Sequence, residues 1–142
     1  MDRRTFVTAM AAAGAWSLKA NAMEQAGGTA DASGVYQLRV YHTYEGKLDD
    51  LLARFRDHTL RLFEKHGMRN VGYWVPTDEP LKGRTLFYML AHKSREAADA
   101  SWEAFRTDPE WKKVSAASEV NGKLVEKVDS TFMTATDFSP HV

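Results

Sequence analysis

The residue types able to do chemistry are few in this chain, and they are scattered. No Cys occurs among 142 residues, so thiolate nucleophiles, disulfides and thiolate metal sites are excluded. The imidazoles are His42, His58, His66, His92 and His141. His58 is the best placed of them as a catalytic candidate. It stands three residues after Phe55 and four before Leu62, at the edge of an apolar helical stripe. There a neutral imidazole could reach a cavity and act as a base or a ligand. Its plainer role is a histidine hydrogen-bonded between helix and sheet, since no acid or nucleophile stands at motif spacing. His66 lies about 12 Å further along the same helix at roughly 1.5 Å per residue, too far to share a metal with His58. His-Glu-x-x-His, Gly-x-Ser-x-Gly and a Gly-rich phosphate loop are all missing. The expectation is therefore no metal and no cofactor.

Arg39 offers a different chemistry. A guanidinium is a planar fork of donors, suited to an anionic or carbonyl-bearing ligand. A salt bridge to Asp129 or Glu126 would occupy it equally well, and an Arg among aromatic rings fits either use. Tyr41, Tyr73, Trp74 and Tyr88 could line an apolar cavity beside it. Alternatively they pack a subunit interface. Trp102, Phe105 and Trp111 read as core.

Periodicity gives the elements that must position these residues. Val35 to Thr43 alternates: Tyr36, Leu38 and Val40 form an apolar row, and Gln37, Arg39, Tyr41 and Thr43 a mixed one. Glu45-Gly46 breaks this strand. Lys47 to His66 then turns helical, with Leu48, Leu51, Leu52, Phe55, Thr59, Leu62 and Phe63 on one stripe and Arg54 outside it. Gly67 is the stop. Met68 to Val75 and Thr85 to His92 are two strands of a hairpin. Ser94 caps a helix over Arg95 to Arg106, and Asp108-Pro109 starts a short one pinned by Trp111 and Val114. Lys123 to Met133 is the last strand. The order strand, helix, strand, strand, helix, strand predicts an α+β, ferredoxin-like fold: a four-stranded antiparallel sheet with its helices on one face.

Composition sets the limits. An apolar fraction of 44% suits one globular domain, and 19 basic against 19 acidic residues, without like-charge runs, argue against a nucleic-acid partner or a polybasic membrane patch. Residues 1–22 have the three parts of an export signal: Arg3-Arg4 before Phe6-Val7, an Ala-rich run too short to span a bilayer, and Ala20-Asn21-Ala22. The paired arginines resemble a twin-arginine leader, although Asp2 stands where Ser or Thr is usual. A periplasmic location follows if the leader works, and a cytoplasmic one if it does not. Residues 23–34 are small, polar and Gly-rich, a flexible tether. Residues 35–138 form the domain and 139–142 a tail.

Two helices cover one sheet face, so the other must be wet or buried by another molecule. Assigning it Tyr41, one of Tyr73 or Trp74, one of Phe87 or Tyr88, and Met133 leaves too much aromatic surface for water. The expectation is a homodimer packed sheet to sheet, with Arg39 and Tyr41 lining a cavity of roughly 300 Å³ or more between the sheets.

Tyr36-Gln-Leu-Arg-Val-Tyr41, Glu45-Gly-Lys-Leu48, Lys65-His-Gly67, Gly72-Tyr-Trp74 and Asp108-Pro-Glu-Trp111 together resemble the NIPSNAP family over essentially all of residues 35–138. The resemblance implies a ferredoxin-like fold paired as a dimeric α/β barrel. It brings no agreed reaction and no established catalytic set. Family members commonly carry Glu where this chain has Gln37, which undercuts any acid–base role attached to that carboxylate. The wider fold group includes cofactor-independent monooxygenases, haem-handling enzymes and isomerases, but fold alone does not assign function. Three readings follow. The first is an exported homodimer binding a small, mostly apolar ligand. The second is a cofactor-independent monooxygenase or isomerase with His58 as base and Arg39 stabilising an enolate-like anion. The third is an interaction module without a pocket.

Overall fold

The computed structural model describes residues 34–140; the expected leader, nearly all of the tether and the last two tail residues lie outside that range. β1 is Val35–Thr43. A long helix, α1, follows in three parts: Leu48–Arg54, a π-turn Phe55–Thr59, and Leu60–Lys65. Then come β2 (Arg69–Trp74), β3 (Thr85–His92), α2 (Arg95–Thr107), α3 (Pro109–Ser118) and β4 (Val125–Met133). The strands form one antiparallel sheet in the order β2-β3-β1-β4, the ferredoxin-like arrangement expected.

Local chemistry explains the boundaries. Gly67 takes φ +83° after α1, a conformation that favours glycine. The Ser94 hydroxyl accepts from the Ala97 N–H at 3.0 Å and caps α2. Asp108 accepts from the Glu110 N–H at 2.8 Å, and Pro109 stands at the first turn of α3, where its missing N–H is no loss. The Lys65 ammonium and the His66 ring, at the end of α1, reach the same Asp108 carboxylate at 2.8 and 2.7 Å. One side chain thus ties two helix ends together.

The sheet faces are the reverse of the expectation. Arg39 stacks on Trp102 of α2, Tyr41 packs edge-on against Phe55 of α1, and Gln37 is 2% exposed beneath Trp102. The mixed row of β1 therefore faces the helices, together with Leu86, Tyr88, Leu90 and His92 of β3 and Tyr73 of β2. Directly paired residues share a face. The apolar row Tyr36, Leu38 and Val40 faces away, beside Met133 of β4, Met89 and Phe87 of β3, and Trp74 of β2. Trp74 is 53% exposed. A Cβ on Gly72 would meet its ring at 2.5 Å, so the glycine gives the indole room to lie along this face. The physical reason for the reversal lies in the mixed row. Its polar atoms find one another and Trp102, whereas no described helix covers the apolar row.

The core lies between sheet and helices. Leu51, Phe55, Leu62 and Phe63 of α1 pack with Met68, Leu86, Tyr88, Leu90, Trp102, Phe105 and Leu124. Trp102 and Phe105 are core as expected, and Trp111 packs partly buried against it. The helices stop short of β4, so Val128, on the helix-facing side, stays 42% exposed. Among the described residues no helix is long and apolar enough to cross a membrane.

Candidate functional site

Arg39 is the centre of a ring-lined cradle between sheet and helices. Its Nε donates to the Tyr88 hydroxyl at 2.9 Å and its Nη2 to the Tyr41 hydroxyl at 3.3 Å. Tyr88 in turn donates to Tyr41 at 3.0 Å. The guanidinium carbon lies 4.3 Å from the Trp102 ring centroid and 5.4 Å from that of Tyr41, within cation–π range. Tyr73 stacks on Tyr88 at 5.2 Å, and its hydroxyl donates to Asn70 Oδ1 at 2.6 Å.

The electrostatics are unusual in one respect: among the described residues no carboxylate pairs with Arg39. Asp129 holds His42 and Lys127 instead, and Glu126 approaches Arg84. Within one chain, therefore, neither Asp129 nor Glu126 forms the salt bridge to Arg39 that the sequence offered as an alternative. Burial works against the guanidinium's charge, but the Tyr41 and Tyr88 oxygens outweigh it and raise its pKa. Burial, chiefly, pushes the Tyr88 hydroxyl well above the usual phenol range, and the same cause raises Tyr73. Both phenols are protonated at neutral pH, so the cradle carries a net positive charge set in aromatic walls.

Behind Arg39 runs a second network. Gln37 Oε1 accepts from the Trp102 indole N–H at 2.7 Å and pairs with His92 Nε2 at 2.8 Å. Its Nε2 donates to Ser130 Oγ at 2.9 Å. An indole nitrogen only donates, so the Gln37 oxygen must face Trp102, and His92 must then carry its proton on Nε2. Burial lowers the His92 pKa more than nearby Asp99 raises it, which keeps the ring neutral. Gln37 thus fixes Trp102, the platform on which Arg39 lies.

The residues singled out from the sequence divide into three places. Arg39, Tyr41, Tyr73 and Tyr88 come together, but on the helix side of the sheet and not in a cavity between two sheets. Trp74 lies on the opposite face and does not join them. His58 does not join them either. It is exposed on the π-turn of α1 and lines a groove of about 660 Å³ between α1 and α3, with Arg54 and Lys113. Arg39 lines neither that groove nor the hollow of about 290 Å³ beside Tyr36, Met89 and Met133 on the open face. The described residues contain no cluster of three or more His, Asp or Glu able to hold a metal ion.

Two features escape sequence reading. The roles of Gln37 and His92 depend on cross-sheet neighbours, and the only signal was a lone amide in an aromatic strand. Arg54 is buried although its position looked solvent-facing; it stands three residues after Leu51 in the regular part of α1, at the edge of the buried stripe, and its guanidinium lies against Trp111 of α3.

The NIPSNAP family model matches residues 36–140. No curated protein matches. Among solved structures, an uncharacterized NIPSNAP-like domain protein from Burkholderia xenovorans superposes with a TM-score of 0.66 at 15% identity, covering 76% of this chain and 90% of that one. A monooxygenase of Streptomyces coelicolor, in complex with the ligand nanaomycin D, gives a TM-score of 0.55 at 15% identity, covering 76% and 92%. SnoaB, a cofactor-independent oxygenase from Streptomyces nogalater, gives 0.51 at 13% identity, covering 77% and 99%. At these identities the likeness is one of fold.

Proposed function

The chain belongs to the NIPSNAP family, and from that premise we propose that it is a homodimeric small-molecule binding protein whose Arg39 receives an anionic or carbonyl oxygen of a mostly apolar ligand. One observation carries this reading. A half-buried guanidinium is held by two tyrosine hydroxyls and an indole face, with no described carboxylate against it. Burying a charge without a counter-charge is unfavourable, and a ligand anion would relieve that cost. The exposed helix-facing side of β4 around Val128 and Ser130 gives a route to it, because the helices do not cover that edge.

The dimer belongs to the same reading. The open face places Tyr36, Leu38, Val40, Phe87, Met89 and Trp74 side by side, a contiguous apolar patch of the kind a partner covers. A twin sheet is the simplest cover, and it would leave Arg39 of each copy on its own helix side. Export through the first 22 residues completes the proposal. Periplasmic extract should then contain a chain beginning at Met23, whereas a full-length cytoplasmic product contradicts it.

A second reading is favoured by the two oxygenases of like fold. Here Arg39 would stabilise the enolate or phenolate of a bound substrate, which reacts with dioxygen without a cofactor. His58, the expected base, lies in the other groove and not beside Arg39, so in this reading the substrate gives its proton to solvent and binds already ionised.

Both readings meet in one experiment. Small phenols and enolizable ketones are titrated into wild type and Arg39→Gln, with dioxygen uptake followed on any that bind. Binding that falls about tenfold or more in the variant, the scale of a charge-assisted hydrogen bond, supports the site. Dioxygen uptake lost with it favours the enzyme. Undiminished binding by a folded Arg39→Gln contradicts both.

A further inference from the structure

Asp50, Arg54 and Asp57 stand four and three residues apart on α1, a spacing at which opposite charges can pair. They do not. Arg54 is turned inward and only 8% exposed. Its guanidinium carbon lies 5.1 Å from the Trp111 ring centroid, and Nη1 donates to Ser118 Oγ at 3.1 Å. Its Nε is buried and has no partner among the described residues, where no carboxylate pairs with the guanidinium either. This side chain is at one wall of the groove of about 660 Å³ between α1 and α3, within the range of small-molecule sites. Ala53, Val114 and Ala117 line it with apolar surface, and Asp50 and Asp57 stand in the same lining. A π-turn, a local irregularity that recurs at functional sites, begins at the next residue.

We propose that this groove is a second binding site, separate from the Arg39 cradle, for a small monocarboxylate. Arg54 takes the carboxylate through its Nη groups, the Nε being buried away from the groove, and the apolar body lies on Ala53, Val114 and Ala117. A planar fork matches a carboxylate geometrically. The two aspartates disfavour a doubly charged anion such as phosphate and would accept an ammonium group if the ligand carries one. Burial lowers the Arg54 pKa more than Tyr41, Glu119 and Tyr88 raise it, and none of these makes an ion pair with the guanidinium among the described residues.

The test titrates isocaproate, leucine and inorganic phosphate into the full-length chain, read by calorimetry and by amide shifts along α1 and α3. Carboxylate binding should weaken tenfold or more in Arg54→Gln. It should also be lost in Ala117→Phe, which fills the groove while leaving Arg54 on Ser118. The second variant decides the matter if the first fails to fold. Tighter binding of leucine than of isocaproate supports the site and identifies an amino acid as its ligand; the reverse supports it with a simple acid. No carboxylate binding at millimolar concentration overturns the proposal, as does phosphate binding as tight as either acid. Binding lost in Arg39→Gln but retained in both groove variants belongs to the cradle and also overturns it.

Discussion

Arg39 and Gln37 sit two positions apart on one strand and do different work. Arg39 is the charge offered to a ligand, and Gln37 holds the indole that supports it. Removing the amide would strand two donors, the Trp102 N–H and the His92 Nε2–H, in a buried place. Each orphaned donor costs about 1–3 kcal/mol. Gln37→Leu should therefore lower stability to urea by about 2 kcal/mol or more, beyond what its added apolar contact returns. A variant as stable as wild type would show that the network is incidental. These partners were invisible in the sequence because a strand's period says which residues share a face, not which face meets the helices. The period was read correctly along Val35–Thr43. The side was assigned by greasiness, and here the apolar row is the one the helices leave uncovered.

At the scale of elements, most boundaries were legible because they rest on local chemistry. Gly67, Ser94 and the Asp108-Pro109 pair stop or start helices by backbone conformation and capping, which neighbours in sequence decide. The π-turn was not legible, since no residue type demands it, and the burial of Arg54 depends on Trp111, a packing partner far along the chain. Asp108 is the element-scale feature with the clearest consequence. Hydrogen bonds from Lys65, then His66, then the Glu110 N–H hold its carboxyl well below the usual carboxylate range. A depressed carboxylate stabilises the fold above its unfolded pKa of about 4, and that contribution is lost as pH falls toward the folded value. Asp108→Asn should thus be less stable than wild type at pH 7, with the gap closing below about pH 4. Urea midpoints across pH measure it. A gap that stays constant down to pH 2 would contradict the ion-pair account and leave only the cap.

For the whole molecule, the two functional readings and the dimer share one root: the sheet turns its polar row inward and its apolar row out. The four-stranded layer, its order and its helical cover were all expected from the sequence. The uncovered face was expected too, though its residues prove to be Tyr36, Leu38 and Val40 with Trp74, Phe87 and Met133, while Tyr41, Tyr73 and Tyr88 turn inward. Charge on that face is confined to its margins, at Arg69 and around His42, Lys127 and Asp129. Burying what these side chains still expose is the driving force such a pairing would have, set against the entropic cost of association. The direct test is the mass of the folded protein in solution by multi-angle light scattering at micromolar concentration, for wild type and for Leu38→Asp. Wild type is expected at twice the chain mass, with Leu38→Asp at one chain and still folded by circular dichroism. A single-chain mass for wild type would contradict the account.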